Sequence, residues 1–233
     1  MTTHSDPLGC GDCPVRDLAI CSGLEEQERL ALARLGLKRH YRRGELIFAS
    51  GDESVACATL VAGAVKLSRC DRDGVERTIA LLQPSSMLAR LFAADIDSDA
   101  VALTDSELCV FPRSLVESEM RSHPGFMERI LQATTAQLAS ARDMLDLVGR
   151  RSARAKVAGL LLVLADEVDT ASPSANREFV LPLTRGEMAT LLGLTIETVS
   201  RQLTGFERDG TIERRGLKSI AILNPSALRA AAD

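Results

Sequence analysis

The sequence predicts an α+β fold made of an antiparallel β barrel or sandwich, one long helix and a C-terminal helix-turn-helix with a β-wing. Three observations predict it. Between Leu37 and Phe111, short apolar or alternating runs are separated by turns containing Gly or Asp, the pattern of regular short antiparallel strands. From Met127 an apolar or small residue recurs at spacings of four and three, which is a helical heptad. Near the end, "TRGEMATLLGLTIETVSRQLTGFERDG" reads as two capped helices joined at Gly193, a helix-turn-helix.

Bulk composition sets the frame. The 233 residues are 45% hydrophobic and 26% charged, so the chain reads as globular. Aromatics are 3% with no Trp, which leaves Leu, Ala, Val and Ile to build the core. The longest apolar run, Val157–Ala165, is far short of the ~20 residues of a membrane span. The start, "MTTHSDPLGCGDC", lacks the basic and apolar regions of a secretory signal. A cytoplasmic location without a membrane partner is therefore expected. The net charge of −4 is unevenly spread: residues 150–233 hold 12 Lys/Arg against 10 Asp/Glu, net +2, leaving 16 against 22, net −6, before them. A nucleic-acid-binding C-terminal part fits that asymmetry.

Residues 1–23 form a cysteine-rich arm, with Cys10, Cys13 and Cys21 in "CGDCPVRDLAIC". In a reducing compartment such a group is metal-binding, redox-active or buried rather than disulfide-bonded. Cys-x2-Cys alone leaves zinc, a thiol-disulfide switch and other metal chemistry open. Cys57 and Cys109 lie in apolar stretches where a Cys usually acts as a small hydrophobe, and Cys70 ends a strand; Cys57 and Cys70 read as structural or incidental. "LEEQERLALARL", Leu24–Leu35, is a short amphipathic helix opening a domain at 24–123. Its strands are "ELIFAS", "CATLVAGAVKLSR", "VERTIALL" and "SELCVFP", with Gly51 and Gly74 beside Asp in turns that favour positive φ.

The heptad seam is Met127, Leu131, Thr134, Leu138, Ala141, Leu145 and Val148, within a helix placed at 124–149. So narrow a stripe suits a partner helix better than a globular core, and predicts a homodimer. Asp143 and Asp146 near its end would oppose pairing by like-charge repulsion. A buried helix at 152–168 begins the last domain, 150–233; the polar loop Asp169–Glu178 and a short strand "FVLPL" follow.

Thr184 and Glu187 form a capping box for the first helix of the motif, and Gly193 ends it. Thr195 caps the second helix, which runs to about Arg208 before Gly210. "IERRGLKSIAIL" makes two strands of a wing around Arg215-Gly216. In such motifs the start of the second helix enters the major groove of double-stranded DNA. Glu197, Ser200 and Arg201 share one face there, with Thr195 and Thr198 beside them, while Val199 and Leu203 face inward. Arg forks onto guanine and Glu accepts from cytosine. A plain Glu197–Arg201 surface ion pair is the competing reading. Arg214, Arg215 and Lys218 in the wing suit phosphate contacts. The three histidines, His4, His40 and His123, are scattered, and no hydrolase, phosphate-loop or metalloprotease motif appears, so enzyme activity is not expected.

With "TRGEMATLLGLTIETVSRQLTGFERDGTI" in view, the chain resembles the CRP/FNR family of bacterial transcription regulators over nearly its whole length. The resemblance implies a β-roll of the cyclic-nucleotide-binding type, a dimerisation helix and a winged helix-turn-helix. Glu197-x-x-Ser200-Arg201 matches the FNR-branch triplet, which implies TTGAT-like palindromic sites. Cyclic-nucleotide-binding relatives carry a Gly-Glu pair and a downstream Arg-Ser/Thr. "QPSSMLARLFAADIDSDAVAL" has neither, and Asp95, Asp97 and Asp99 would repel a phosphate, so no cyclic nucleotide is expected. FNR-type sensors hold an oxygen-labile [4Fe–4S] cluster on three N-terminal cysteines and one from the β-roll. That implies Cys10, Cys13, Cys21 and Cys109 as iron ligands, three on a flexible arm and one on a strand. This chain has seven residues between Cys13 and Cys21 where the familiar pattern has five. The family also implies RNA polymerase as a partner, touched by the loop at Asp169–Glu178, and a mainly activating role.

Overall fold

The computed structural model describes residues 5–6, 9–169, 177–216 and 218–233. The chain divides into two compact units, Met1–Ala141 and Arg142–Asp233.

In the first unit, Cys10–Asp12 and Ile20–Gly23 are single 3-10 turns. Helix α1 (Glu26–Ala33) follows, opened by a capping box in which Glu25 and Glu28 exchange bonds with each other's backbone. Two antiparallel sheets form the roll. One has the order β1-β2-β9-β4-β7, from Ser5–Asp6, Leu37–Tyr41, Ser106–Pro112, Ala56–Ala62 and Met87–Leu88. The other has the order β3-β8-β5-β6, from Leu46–Phe48, Asp99–Ala102, Val65–Cys70 and Glu76–Leu82. Gly51 and Gly74 take the positive φ values, 90° and 77°, that their turns require. Leu60, Val65, Ala100 and Leu108 pack between the sheets as one core.

Helix α2 (Arg113–Ser122) and the start of α3 (Pro124–Gly149) close a second core. It joins Phe126 and Ile130 to Ile20, Leu24, Leu32 and Phe111, with Cys21 and Cys109 at its margin. The division between the two units falls inside α3. One face of α3 is thus committed to the roll. The other carries an exposed apolar stripe: Met127, Leu131, Leu138 and Leu145 are all open, Leu145 at 74%.

The second unit is built on α4 (Ala153–Asp169), whose Val157, Ala158, Leu160 and Leu161 are buried. β10 (Arg177–Val180), β12 (Ser219–Ile222) and β11 (Ile212–Arg215) form a three-stranded antiparallel sheet. Helices α5 (Arg185–Leu192) and α6 (Ile196–Arg208) stand before the wing, and α7 (Pro225–Ala232) ends the chain. Arg154 stacks its guanidinium 4.2 Å from the Phe206 ring and bonds Asp209 at 2.9 Å, fixing the end of α6. The α+β class and its order of parts stand as the sequence predicts.

Six strands and helices, β1, β2, β7, β8, α2 and α7, are not announced by the periodic patterns of the sequence. Strands β1, β7 and β8 are only two, two and four residues long, and the β9–α2 junction is marked only by Pro112, which offers no side-chain cap. Helix α7 did carry a local signal: Asn224 accepts from the Ala227 amide and Pro225 sits at the first helical position. The loop expected at Asp169–Glu178 falls, for residues 170–176, outside the described residues.

Candidate functional site

Two sites emerge, a cysteine pocket in the first unit and a helix-turn-helix in the second. The pocket draws its thiols from three places. Cys10 and Cys13 flank one 3-10 turn, Cys21 lies in the other, and Cys109 stands on β9 opposite Thr59 of β4 and Lys38 of β2. All four line one cavity.

The stretch between Cys13 and Cys21 is not the flexible arm expected. Leu18 and Ala19 donate their amides to the Val15 carbonyl, and Ser22 donates to that of Ala19. Val15 and Ala19 bury against Val61, with Cys13, Cys21 and Cys109 around them. Seven residues suffice to make one helical turn whose apolar side plugs onto β4, and burial of that side holds the segment down. Arg129 of α3 then ties it from the other side, donating to the carbonyls of Leu18 and Ala19. Gly23 abuts the Gly125 carbonyl so closely that a Cβ there would lie 2.4 Å from it.

Burial governs the thiols. It pushes Cys21 up to about 11, helped by Cys13 and Cys10. It pushes Cys109 up to about 12, helped by Cys13, Cys10 and Cys21. Cys10 is raised by the same cause, with Arg29 and Arg16 opposing. Cys10, Cys21 and Cys109 lie within electrostatic reach of their neighbours, and none of these three is prepared as an exposed, low-pKa nucleophile. All six cysteines are free; Cys57 is buried in the core, where its thiol rises to about 12 by desolvation, and Cys70 is exposed.

The donor set is soft sulfur, suited to iron–sulfur or zinc chemistry. A further observation bears on a bound group. Arg29 Nε and Thr59 Oγ1 are buried, line this pocket and have no hydrogen-bond partner. Among the described residues no three or more His, Cys, Asp or Glu side chains stand close enough, as placed, to hold a metal ion, so the orphaned donors and the sulfur set alone bear on the group. A polynuclear group spread among four thiolates, with polar donors left over for its sulfurs, fits these residues.

In the second unit the capping residues behave as their types require. The Thr184 hydroxyl accepts from the Glu187 amide at 3.1 Å, and the Glu187 carboxylate accepts from the Thr184 amide at 2.5 Å. Gly193 closes α5 in the left-handed region, φ 62°. Thr195 caps α6 by accepting from the Thr198 amide at 3.2 Å. Val199, Leu203 and Phe206 are buried beneath α6, and that anchors the opposite face outward. Ile196, Glu197 and Arg201 are exposed, Thr198 and Ser200 partly so.

Glu197 and Arg201 do not pair, and neither takes an ion-pair partner among the described residues. The Glu197 carboxyl is held below its usual range by its own backbone amide and the Thr195 hydroxyl. Arg185 was not read from the sequence. Its Nη1 donates to Ser200 Oγ at 3.4 Å. The signal available is a basic residue in the first turn of α5, where the helix dipole disfavours it.

The wing cations are not equivalent. Arg214 is bonded to Glu207 of α6, and Arg215 to both Glu213 and Glu178, at 2.7 and 2.8 Å. Lys218 is exposed and has no ion-pair partner among the described residues.

A roll with a cysteine pocket, a long helix and a winged helix-turn-helix define the class of a transcription regulator rather than an enzyme. Comparison with known proteins makes this specific. Residues 155–231 match the Crp-like helix-turn-helix domain and residues 38–123 the cyclic nucleotide-binding domain. The chain is 36% identical to the transcriptional activator protein FnrL of Cereibacter sphaeroides, over 95% of this chain and 92% of that one. It is 32% identical to the nitrogen fixation regulation protein FixK of Bradyrhizobium diazoefficiens, over 96% and 93%. The solved structure of FixK2 from Bradyrhizobium japonicum superposes with a TM-score of 0.76 at 25% identity, covering 85% of this chain and 98% of that one. The chain belongs to the CRP/FNR family of transcription regulators. No helix among the described residues is long and apolar enough to cross a membrane.

Proposed function

We propose that this chain is an oxygen-responsive activator of transcription that carries a [4Fe–4S] cluster on Cys10, Cys13, Cys21 and Cys109 and binds TTGAT-type palindromes as a homodimer in the cytoplasm. The observation that carries the reading is the convergence of four thiols from three separate segments on one pocket. The cluster supplies an oxygen-labile redox centre; the chain supplies four sulfur ligands, an apolar surround and a docked Cys13–Cys21 segment.

Burial of Cys21 and Cys109, which disfavours their thiolates, weighs against a thiol-disulfide switch using those two, because the thiolate is the nucleophile in that chemistry. The unpaired Arg29 and Thr59 donors speak for a group larger than a zinc ion. Activation is supported by the name of the FnrL relative, and RNA polymerase is the partner that activation requires. In the acidic run of β8 and its approach, Asp97 pairs with Arg69 at 2.5 Å and Asp99 accepts from the Ser50 amide, and carboxylates there oppose an anionic ligand such as a cyclic nucleotide.

The test is iron and acid-labile sulfide per chain in anaerobically purified protein, with a visible spectrum before and after air. The parent should hold four of each and bleach. Cys10→Ala, Cys13→Ala, Cys21→Ala and Cys109→Ala should lose the metal, whereas Cys57→Ala and Cys70→Ala should keep it. Full iron and sulfide in Cys109→Ala would overturn this ligand set.

A further inference from the structure

We propose that Arg29 and Thr59 are the two groups outside the four cysteines that hold the cluster's sulfur atoms, Arg29 as counter-charge and N–H donor, Thr59 as O–H donor, and that together they set its reduction potential. The proposal rests on the cluster reading above and adds to it two residues with no thiol.

Arg29 lies on the inward side of α1 and is 8% exposed. Its Nη2 is bonded to Glu26, but that same carboxylate also takes Arg16. Two guanidiniums share one carboxylate beside the pocket, so one positive charge is left over. The Arg29 Nε–H has no acceptor among the described residues. Thr59, 4% exposed, is paired across the strands with Cys109, and its hydroxyl is likewise unpartnered. Much of the remaining lining is apolar, Val15, Ala19, Leu32 and Phe111 included.

Leaving a buried donor unsatisfied is costly, and more so where it is charged. A fold that buries two of them, facing one cavity, is complete only when an acceptor arrives. Neutral thiols are weak acceptors and bring no charge. Four thiolates on a [4Fe–4S]2+ core carry a total charge of −2, and their sulfurs accept hydrogen bonds. Arg29 already acts electrostatically on Cys10 and Cys21, opposing the upward push of burial on both. The acceptor, the charge and the position all coincide.

The consequence is a defined sign. Cluster potentials follow net charge, hydrogen bonds to sulfur and solvent exposure. Taking up one electron, with no proton or bond exchanged, moves the cluster from −2 to −3. A fixed positive charge and two donors favour the more negative state, so they raise the potential. Removing them lowers it and makes the cluster easier to oxidise.

The experiment uses the full chain, reconstituted anaerobically with iron and sulfide, as parent, Arg29→Leu, Arg29→Lys, Thr59→Val and Thr59→Ser. Iron and sulfide content is measured first, then the midpoint of the 2+/1+ couple by spectroscopically monitored titration, then the rate of bleaching in air. Arg29→Leu should shift the couple negative by a tenfold change in equilibrium or more, 59 mV for one electron, and bleach several-fold faster. Thr59→Val should shift it the same way by less, and Thr59→Ser should restore the parent value. Arg29→Lys keeps the charge and should fall between parent and Arg29→Leu. Should Arg29→Leu fail to fold, Arg29→Lys and Thr59→Val carry the measurement. Full loading with an unmoved potential in those variants overturns the proposal and leaves the cluster reading standing. Absence of iron and sulfide from the parent overturns the cluster reading itself.

Discussion

At the scale of single residues, Arg201 illustrates how the fold frees a side chain for work. Val199, Leu203 and Phe206 spend the inner face of α6 on packing, and the spacing of a helix then puts Glu197, Ser200 and Arg201 together outside. An exposed i,i+4 pair of opposite charge is worth only ~0.2–0.5 kcal/mol, too little to hold Glu197 and Arg201 on each other when bases compete. Arg201→Ala should cost roughly 1–3 kcal/mol on a TTGAT palindrome and much less on scrambled DNA. A binding titration on both sequences checks this, and equal affinity of variant and parent for the palindrome would sink the reading. Ser200 differs from them, since Arg185 already reaches its hydroxyl at 3.4 Å, and under the proposed reading it would hold register rather than read a base.

At the scale of elements, the wing shows why counting cations is not enough. Arg214 and Arg215 are engaged with Glu207, Glu213 and Glu178, and Lys218 is left to meet a phosphate. Lys218→Gln should weaken all DNA sequences alike and reduce the magnitude of the salt slope by ~1. Arg215→Gln should change that slope less, because its charge is already shared by two carboxylates. Similar slopes for the two variants would count against this distinction. The α3 stripe makes a second prediction at this scale. Leu131, 65% exposed, and Leu138 stand on an open face, so Leu131→Glu or Leu138→Glu should shift the dimer to monomer in sedimentation. An unchanged stoichiometry would remove the seam from the interface. Asp146 is partly countered by Arg150 four residues on, at 3.5 Å, so if these carboxylates repel across the seam, Asp143 should do so more strongly.

What was legible in the sequence follows from the range of the forces involved. The caps at Thr184, Gly193 and Thr195 are contacts within four residues, and their chemistry is written locally. The same holds for the glycine turns at Gly51 and Gly74. The Arg215–Glu178 pair spans 37 residues and Arg29 meets the cysteines only through the packing of α1, so neither has a periodicity or a motif to announce it. Docking of the Cys13–Cys21 segment is intermediate. Val15 and Ala19 are visible at helical spacing, but their partner Val61 is supplied by a distant strand.

At the scale of the whole molecule, the question is how a change at the cysteines reaches the dimer stripe. The first unit contains a short path for it. The carbonyls of Leu18 and Ala19, inside the Cys13–Cys21 segment, are gripped by Arg129, and Arg129 lies on α3 between the exposed Met127 and Leu131. Gly23 and Gly125 make the same junction from the backbone side. If loading the pocket fixes the segment and Arg129 passes that order to α3, loading and dimerisation share a coupling free energy, which is reciprocal. Hydrogen bonds from a charged group are worth ~1.5–3 kcal/mol, the same size as typical couplings of ~1–3 kcal/mol. Arg129→Ala should therefore keep its iron and sulfide, since all four ligands remain, yet lose most of the difference in dimer affinity between loaded and metal-free protein. Sedimentation at several concentrations, with and without cluster, measures that difference directly. A variant that retained the parent's ratio of the two dimer constants would show that the signal reaches α3 by another route.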